Sequence, residues 1–128
     1  MFIQNLDVKQ QAALLYLAKQ IIDADNEVDD KEIKIFAVLK SQVDASVVPA
    51  ETSLADLGNL FDSNSSKASL LLELIGVAHA DGEYHAKEMS LINHYAEAME
   101  VSSDKLEQLE NWVRKQLSLS IEAQALLA

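Results

Sequence analysis

Two short acidic stretches contain the residues of this sequence whose types and spacing could do chemistry. Asp25 and Glu27 alternate along the chain, Asp81 and Glu83 do the same, and each pair is followed by a further glutamate five residues on. Carboxylates supply the oxygen ligands that Ca²⁺ and Mg²⁺ prefer in proteins. The candidate metal ligands are therefore six carboxylates, three from each stretch: Asp25, Glu27, Glu32, Asp81, Glu83 and Glu88.

The two stretches are near-copies of one another. Residues 22–32 and 78–88 align without a gap at a spacing of 56 positions. Apolar residues continue the correspondence on both sides, from Ile21 and Val77 before the stretches to Phe36 and Ile92 after them. The coinciding residues are Ala24/Ala80, Asp25/Asp81, Glu27/Glu83, Lys31/Lys87 and Glu32/Glu88. The sequence therefore predicts a duplicated helix–acidic turn–helix unit.

Two interpretations of the acidic turns remain open. Six of the ten residues from 23 to 32 are carboxylates and one is a lysine, and such crowding of like charge lowers stability unless something offsets it. A hard divalent cation, calcium or magnesium, is one way to offset it. Acids before a helix also cap it and complement its dipole, and each cap stabilises the helix by about 0.5–2 kcal/mol. The residue types alone favour capping and solubility over a cation site.

Neither turn fits an EF-hand. A loop that starts at Asp25 places Asp30 where the invariant glycine belongs and Phe36 where a bidentate glutamate belongs, and the loop that starts at Asp81 fails in the same two places. The three histidines could add imidazole ligands for a transition metal, but their spacing matches no compact zinc motif. They are His79, His85 and His94.

The sequence contains none of the common catalytic motifs. It has no cysteine, no Gly-x-Ser-x-Gly elbow, no phosphate-binding glycine loop and no His-Glu-x-x-His pair. We therefore expect no enzyme and no catalytic residue, and a hydrolase that uses the carboxylates and histidines is the least favoured hypothesis. A pure protein–protein interaction module, whose acidic turns only cap helices, is the alternative to a cation-binding domain.

The composition indicates an acidic, soluble, all-α domain. The 128 residues are 49% hydrophobic and carry a net charge of −11, which attracts cations and basic partners and repels nucleic acid. The first residues lack the features of a signal peptide, and the longest apolar run, Leu70 to Ala80, is too short to span a bilayer. We expect a cytoplasmic protein with protein partners and no nucleic acid, which is not an integral membrane protein.

The two acidic turns must be positioned by the helices on either side of them. We expect one domain over residues 1–128, with repeat 1 at about 7–43, a connection at 44–66, repeat 2 at about 67–99 and C-terminal helices at 103–128. The helix from about Ser66 to Ala80 is apolar nearly all round, which predicts a central, buried position. Gly76 inside it suggests that a neighbouring helix passes close by. Residues 118–128 are predicted to form a separate short helix.

These residues resemble a known family. Residues 24–32 and 80–88 are both similar to the short acidic signature of the tellurite-resistance protein B (TerB-like) family, in which Ala-Asp-Gly-Glu is followed by an apolar residue and then a glutamate. The later Ser103-Asp104-Lys105-Leu106, followed by Trp112-Val113, is similar to the continuation of those domains. The resemblance covers roughly residues 10–117. Asn26 replaces the signature glycine in the first copy, and His85 stands where a capping aspartate is common in the second.

The resemblance implies both a fold and a function. The expected fold is a pseudo-two-fold bundle of about seven helices. The expected function is that of a non-enzymatic, cytoplasmic scaffold in a bacterial response to tellurite and other chemical stress, with membrane-associated protein partners. The acidic turns of the family are proposed to engage divalent cations, which implies the same six carboxylates that the residue types had indicated: Asp25, Glu27, Glu32, Asp81, Glu83 and Glu88.

Overall fold

A computed structural model describes residues 2–24, 30–79 and 86–128, and for Lys31 and Glu32 it describes the backbone alone. Every regular element within these ranges is helical, as the composition predicts. A 3-10 turn at Ile3–Asn5 precedes six α-helices, whereas about seven helices were predicted. The helices are α1 (Val8–Ile22), α2 (Asp30–Gln42), α3 (Leu54–Leu60), α4 (Asn64–Ala78), α5 (Ala86–Ala98) and α6 (Ser103–Leu127).

Helix α4 is the centre of the fold, as its apolar sequence predicts. It contacts the 3-10 turn and four helices: α1, α2, α5 and α6. Leu70, Leu71, Leu74 and Ile75 on this helix are completely buried. The helix begins with a capping box in which the Ser63 hydroxyl accepts a hydrogen bond from the backbone N–H of Ser66 at 3.0 Å. Its position between the other helices explains why it has no polar face.

The N-terminal segment is fixed to α1 and α4 by hydrogen bonds. Asp7 caps α1 by accepting from the backbone N–H of Gln10 at 2.8 Å, and the Gln10 side chain completes the capping box. The same Gln10 donates through Nε2 to the Leu60 carbonyl at 2.8 Å, which links α1 to the end of α3. The backbone N–H of Phe2 donates to Oε1 of Glu73 on α4 at 2.9 Å. These contacts join the N-terminal residue Phe2 to α4 and the start of α1 to the end of α3.

The connection between α2 and α4 is held against the domain. The backbone N–H of Ala50 donates to the Ala12 carbonyl at 3.1 Å, while Val47, Leu57 and Phe61 are buried in the core. Near its start, hydrogen bonds from the backbone and side chain of Ser46 lower the pKa of Asp44 below its ordinary value. Residues 44–66 are thus ordered by contacts with α1 and the core.

Helix α5 packs against α3 and α4 through a face that includes Ile92, Tyr95 and Ala96. Burial of the phenol, with a smaller contribution from Tyr16, raises the pKa of Tyr95 to about 12. With an exposure of 5%, the Tyr95 side chain belongs to the core. Trp112, by contrast, lies at the rim, where its ring meets that of Phe2 edge-on at 5.4 Å between centroids.

Two sequence predictions about the helices are wrong. The C-terminal region is one continuous helix, because α6 runs through residue 118 to Leu127 without the predicted break. Gly76 does not mark a close helix contact, because a Cβ at this position would meet no atom within 4 Å. The close approach is instead at Gly58 on α3, where a Cβ would lie 3.3 Å from the Ala98 carbonyl oxygen of α5.

Gly76→Ala should therefore stabilise the protein. Alanine is favoured over glycine by about 1 kcal/mol in a helix interior, and the open space at Gly76 adds no steric cost. Urea unfolding should show an increase of about 0.5–1 kcal/mol in the free energy of unfolding. Gly58→Ala is the matched control and should gain less or lose stability, because its new methyl group crowds a backbone carbonyl. Equal gains at both positions would contradict the packing described here.

Candidate acidic cation site

The two acidic turns lie for the most part outside the described residues. Among the six predicted ligands, Asp25, Glu27, Asp81 and Glu83 fall in residues 25–29 and 80–85, and the side chain of Glu32 is also outside the description. The spacing of Asp29 and Glu32 also predicts a capping box at the start of α2, and Asp29 and the Glu32 side chain that would form it lie outside the described residues. Glu88 is the predicted ligand whose side chain is described.

The described helices set the ends of both turns. Helix α1 ends at Ile22 and α2 begins at Asp30, so the first turn joins two helices that contact each other. Helix α4 ends at Ala78 and α5 begins at Ala86, and these two helices also contact each other. Each predicted repeat thus has two contacting helices on either side of its acidic stretch, and α1 also packs directly on α4. The pseudo-two-fold relation of the repeats remains a prediction.

Glu88 is buried, although it belongs to an acidic and otherwise polar motif. It is the third residue of α5 and has a relative exposure of 1%. Within the described ranges, it is the one carboxylate among the buried polar side chains, which otherwise are Gln10, Ser66 and Ser69. Removing a carboxylate from water is costly unless its charge is compensated. Its place in the first turn of α5 supplies part of this compensation, because the positive end of the helix dipole lies there.

The described histidines do not gather around Glu88 in a recognisable metal site. His79 follows the last residue of α4 and is partly buried, and its Nε2 atom is inaccessible to solvent. Both His79 and Glu88 take part in interactions within the chain. His94 is exposed on α5, and His85 is outside the described residues. In the described part of the chain, no group of three or more histidines and carboxylates is arranged to hold a metal ion.

An apolar groove beside the first acidic turn was missed by sequence reasoning. It has a volume of about 150 Å³ and lies between the end of α1 and the start of α2, where it is lined by Ile22, Ile33 and Phe36 with Lys19 and Asp23. Ile33 is largely exposed there. The periodicity of α2 indicated a helix but could not show which of its apolar residues remain accessible after packing. The groove can accept an apolar side chain at the edge of the acidic turn.

None of the helices, as far as the chain is described, has the length and apolarity needed to cross a membrane.

The fold and the turns together define an all-helical domain in which acidic segments join packed helices. The sequence model of the family described as tellurite resistance protein TerB matches residues 19–111. Since this match covers well over half of the chain and includes both acidic turns, the chain belongs to the TerB family, as its two acidic motifs predict. Comparisons with curated proteins and with solved structures gave no significant match.

Proposed function

We propose that this chain is a non-enzymatic binding domain whose two acidic turns hold divalent cations. In this proposal, it acts as a cytoplasmic scaffold of a bacterial response to tellurite or other chemical stress. Family membership supports the link to tellurite resistance. The proposed ligands are Asp25 and Glu27 of the first turn with Glu32 of α2, and Asp81 and Glu83 of the second turn with Glu88 of α5.

The burial of Glu88 is the observation that carries the cation proposal. An acid that serves only for solubility or helix capping normally remains in water, because charged side chains are rarely fully buried without compensation. Glu88 is 1% exposed and directly follows the second acidic turn. Its carboxylate therefore lies inside the protein, and Asp81 and Glu83 precede it by seven and five residues in the sequence. A hard cation shared by these groups would compensate their combined negative charge.

The sequence repeat extends the proposal to the first turn. Glu32 corresponds to Glu88, and both follow an Asp-x-Glu pair at the same distance. The helices that flank the two turns also correspond, with α1 and α2 in one repeat and α4 and α5 in the other. A pseudo-two-fold arrangement of these hairpins would give two similar sites. Asn26 in place of glycine, and His85 in place of an acid, would make their affinities unequal.

Thermal unfolding of the metal-stripped protein tests this function directly. Calcium, magnesium, manganese and zinc are added separately at matched ionic strength. A cation at 100 times its dissociation constant should raise the free energy of unfolding by about 2.7 kcal/mol. Asp81→Ala should remove the part of this stabilisation that comes from cation binding at the second turn, and Asp25→Ala the part from the first turn. Asp62→Ala is the control, because it removes one exposed acid outside both turns.

A pure protein-interaction module is the second candidate, and the groove between α1 and α2 favours it. This groove offers an apolar floor of Ile22, Ile33 and Phe36 beside an acidic turn, which suits a basic, amphipathic partner segment. The same titration separates the two candidates. If every cation acts only through ionic strength, and the two aspartate variants behave like Asp62→Ala, the cation proposal is wrong and the interaction module is favoured.

A further inference from the structure

The second half of α6 extends away from the domain. Leu106, Leu109 and Val113 fix the first half against the core, and Val113 is the last buried residue of the helix. From residue 114 onward every residue except Gln116 is exposed. At 1.5 Å per residue, residues 114–127 form a rod about 21 Å long. It is the one helix of the described chain with such a long unpacked part.

The projecting rod is unusually apolar for an exposed helix. Residues 117–127 contain one charged side chain, Glu122, and five large apolar ones. Among them Leu119 is 64%, Ile121 70% and Leu126 86% exposed. Helices that lack a broad polar face are normally covered by another element. The described part of the chain leaves these apolar side chains of α6 uncovered.

One side of the rod has the spacing of a helix-pairing seam. Trp112, Leu119 and Leu126 recur every seven residues, and Ala123 lies on the same side between the last two. We call these four residues the α6 stripe. The stripe begins at the partly exposed Trp112, whose ring also contacts Phe2, and continues to the end of the helix. Ile121 points away from the stripe, because it lies about 140–180° around the helix from each of the four residues.

We propose that the α6 stripe pairs with the stripe of a second copy of this chain in an antiparallel, two-fold symmetric dimer. Around a two-fold axis near Ser118, the Trp112 of one copy lies level with the Ala123 of the second copy. The small alanine thus faces the large indole. In the same register, Lys115 of each copy lies beside Glu122 of the other, so two opposite-charge pairs flank the seam.

The distribution of charge favours a second copy in this orientation. The chain carries −11 in total, whereas residues 111–128 carry Arg114, Lys115 and Glu122 as their charged side chains. The rod is therefore the part of the molecule where two copies repel each other least. An antiparallel pair also places the two acidic domains at opposite ends of the paired rods, which limits their mutual repulsion.

Sedimentation equilibrium of the full chain tests the dimer. We expect a reversible dimer with a micromolar dissociation constant, because a single helix pair is a small interface. Leu119→Lys should weaken dimerisation by about a hundredfold or more, since both copies lose an apolar anchor and gain a buried charge. Ile121→Lys is the matched control on the opposite side of the same helix and should leave the dimer intact. Circular dichroism and the unfolding midpoint check that both variants fold.

Charge exchange tests the antiparallel register. Lys115→Glu alone and Glu122→Lys alone should each weaken the dimer about tenfold, because each change places like charges together twice. The double variant Lys115→Glu/Glu122→Lys should restore dimerisation, and so should mixing the two single variants. Residues seven apart do not pair within one helix, so this rescue can come only from contact between copies.

Three results would overturn the proposal. They are a chain that remains monomeric up to sub-millimolar concentration, a dimer that Ile121→Lys weakens as much as Leu119→Lys, and a double variant without rescue. The first result includes a monomer whose α6 binds another protein or a lipid vesicle, since the stripe would then bind a different partner.

Discussion

Leu74→Ala should reduce the free energy of unfolding by about 3–5 kcal/mol. The side chain is completely buried in the middle of α4, the helix that touches most of the others. Shortening it removes buried methyl groups and leaves a cavity that surrounding helices cannot easily fill. A domain of this size has a total stability of about 5–15 kcal/mol, so the variant should lose a large share of it.

The effect is measured by urea unfolding followed by circular dichroism. Leu72→Ala is the control, because it makes the same change on the same helix at a side chain that is only partly buried. It should lower the free energy of unfolding by clearly less, about 1–2 kcal/mol. Similar losses in the two variants would show that burial on α4 does not decide the cost, which would contradict its central position in the fold.

The position of α4 was predictable because its sequence allows few alternatives. A helix with leucine, isoleucine, valine and alanine on nearly every side cannot remain stable at a surface. Helix capping follows the same local logic, since Asp7, Ser63 and Ser102 each accept a hydrogen bond from the backbone N–H three residues on. Local patterns of this kind depend on neighbours within one or two turns, which the sequence displays directly.

The errors arise where distant parts of the chain decide the outcome. Gly76 and Gly58 are both helical glycines, and only the packing of α3 against α5 identifies Gly58 as the close contact. Residues 118–128 were predicted to form a separate short helix, yet Ser118 and Ser120 do not break a helix, and α6 continues through both. The contacts of Phe2 with Glu73 and of Gln10 with Leu60 join residues 71 and 50 positions apart, beyond the reach of periodicity.

The candidate site was only partly predictable for a similar reason. The duplication identified six carboxylates and their corresponding positions, because repeated residue types are visible in the sequence. The burial of Glu88 was not predictable, since a glutamate in the first turn of a helix is usually exposed. Glu88 is buried because of the way α5 packs against α3 and α4. Among the acids whose side chains the structure describes, this burial distinguishes Glu88, which makes it the residue of the proposed site to test first.

Glu88→Gln should separate cation binding from ordinary stabilisation. Glutamine keeps the shape of the side chain and removes its negative charge, so a cation ligand is weakened while packing is preserved. We expect the free energy of unfolding of the metal-stripped variant to lie within about 1 kcal/mol of that of the metal-stripped parent protein. With cation present, the stabilisation from the second turn should fall by about 1.4 kcal/mol or more, which corresponds to at least a tenfold loss of affinity.

Glu97→Gln is the matched control, because it makes the same change at an exposed position on the same helix. It should leave the cation-dependent stabilisation unchanged. If Glu88→Gln destabilises the stripped and the loaded protein equally, the Glu88 carboxylate stabilises the fold through contacts within the chain, and its role as a ligand is disproved. The comparison of stripped with loaded protein is therefore the decisive measurement, rather than the stability of either form alone.

The duplicated motif extends this prediction to Glu32. If the two turns are equivalent cation sites, titration of the parent protein should saturate at two equivalents, and Glu32→Gln should weaken one site while Glu88→Gln weakens the other. Because the two sites bind through different turns, the losses of the double variant should add. A single equivalent that only Glu88→Gln affects would mean that the second turn alone binds a cation. The acids of the first turn would then cap the adjoining helices and supply negative charge beside the apolar groove.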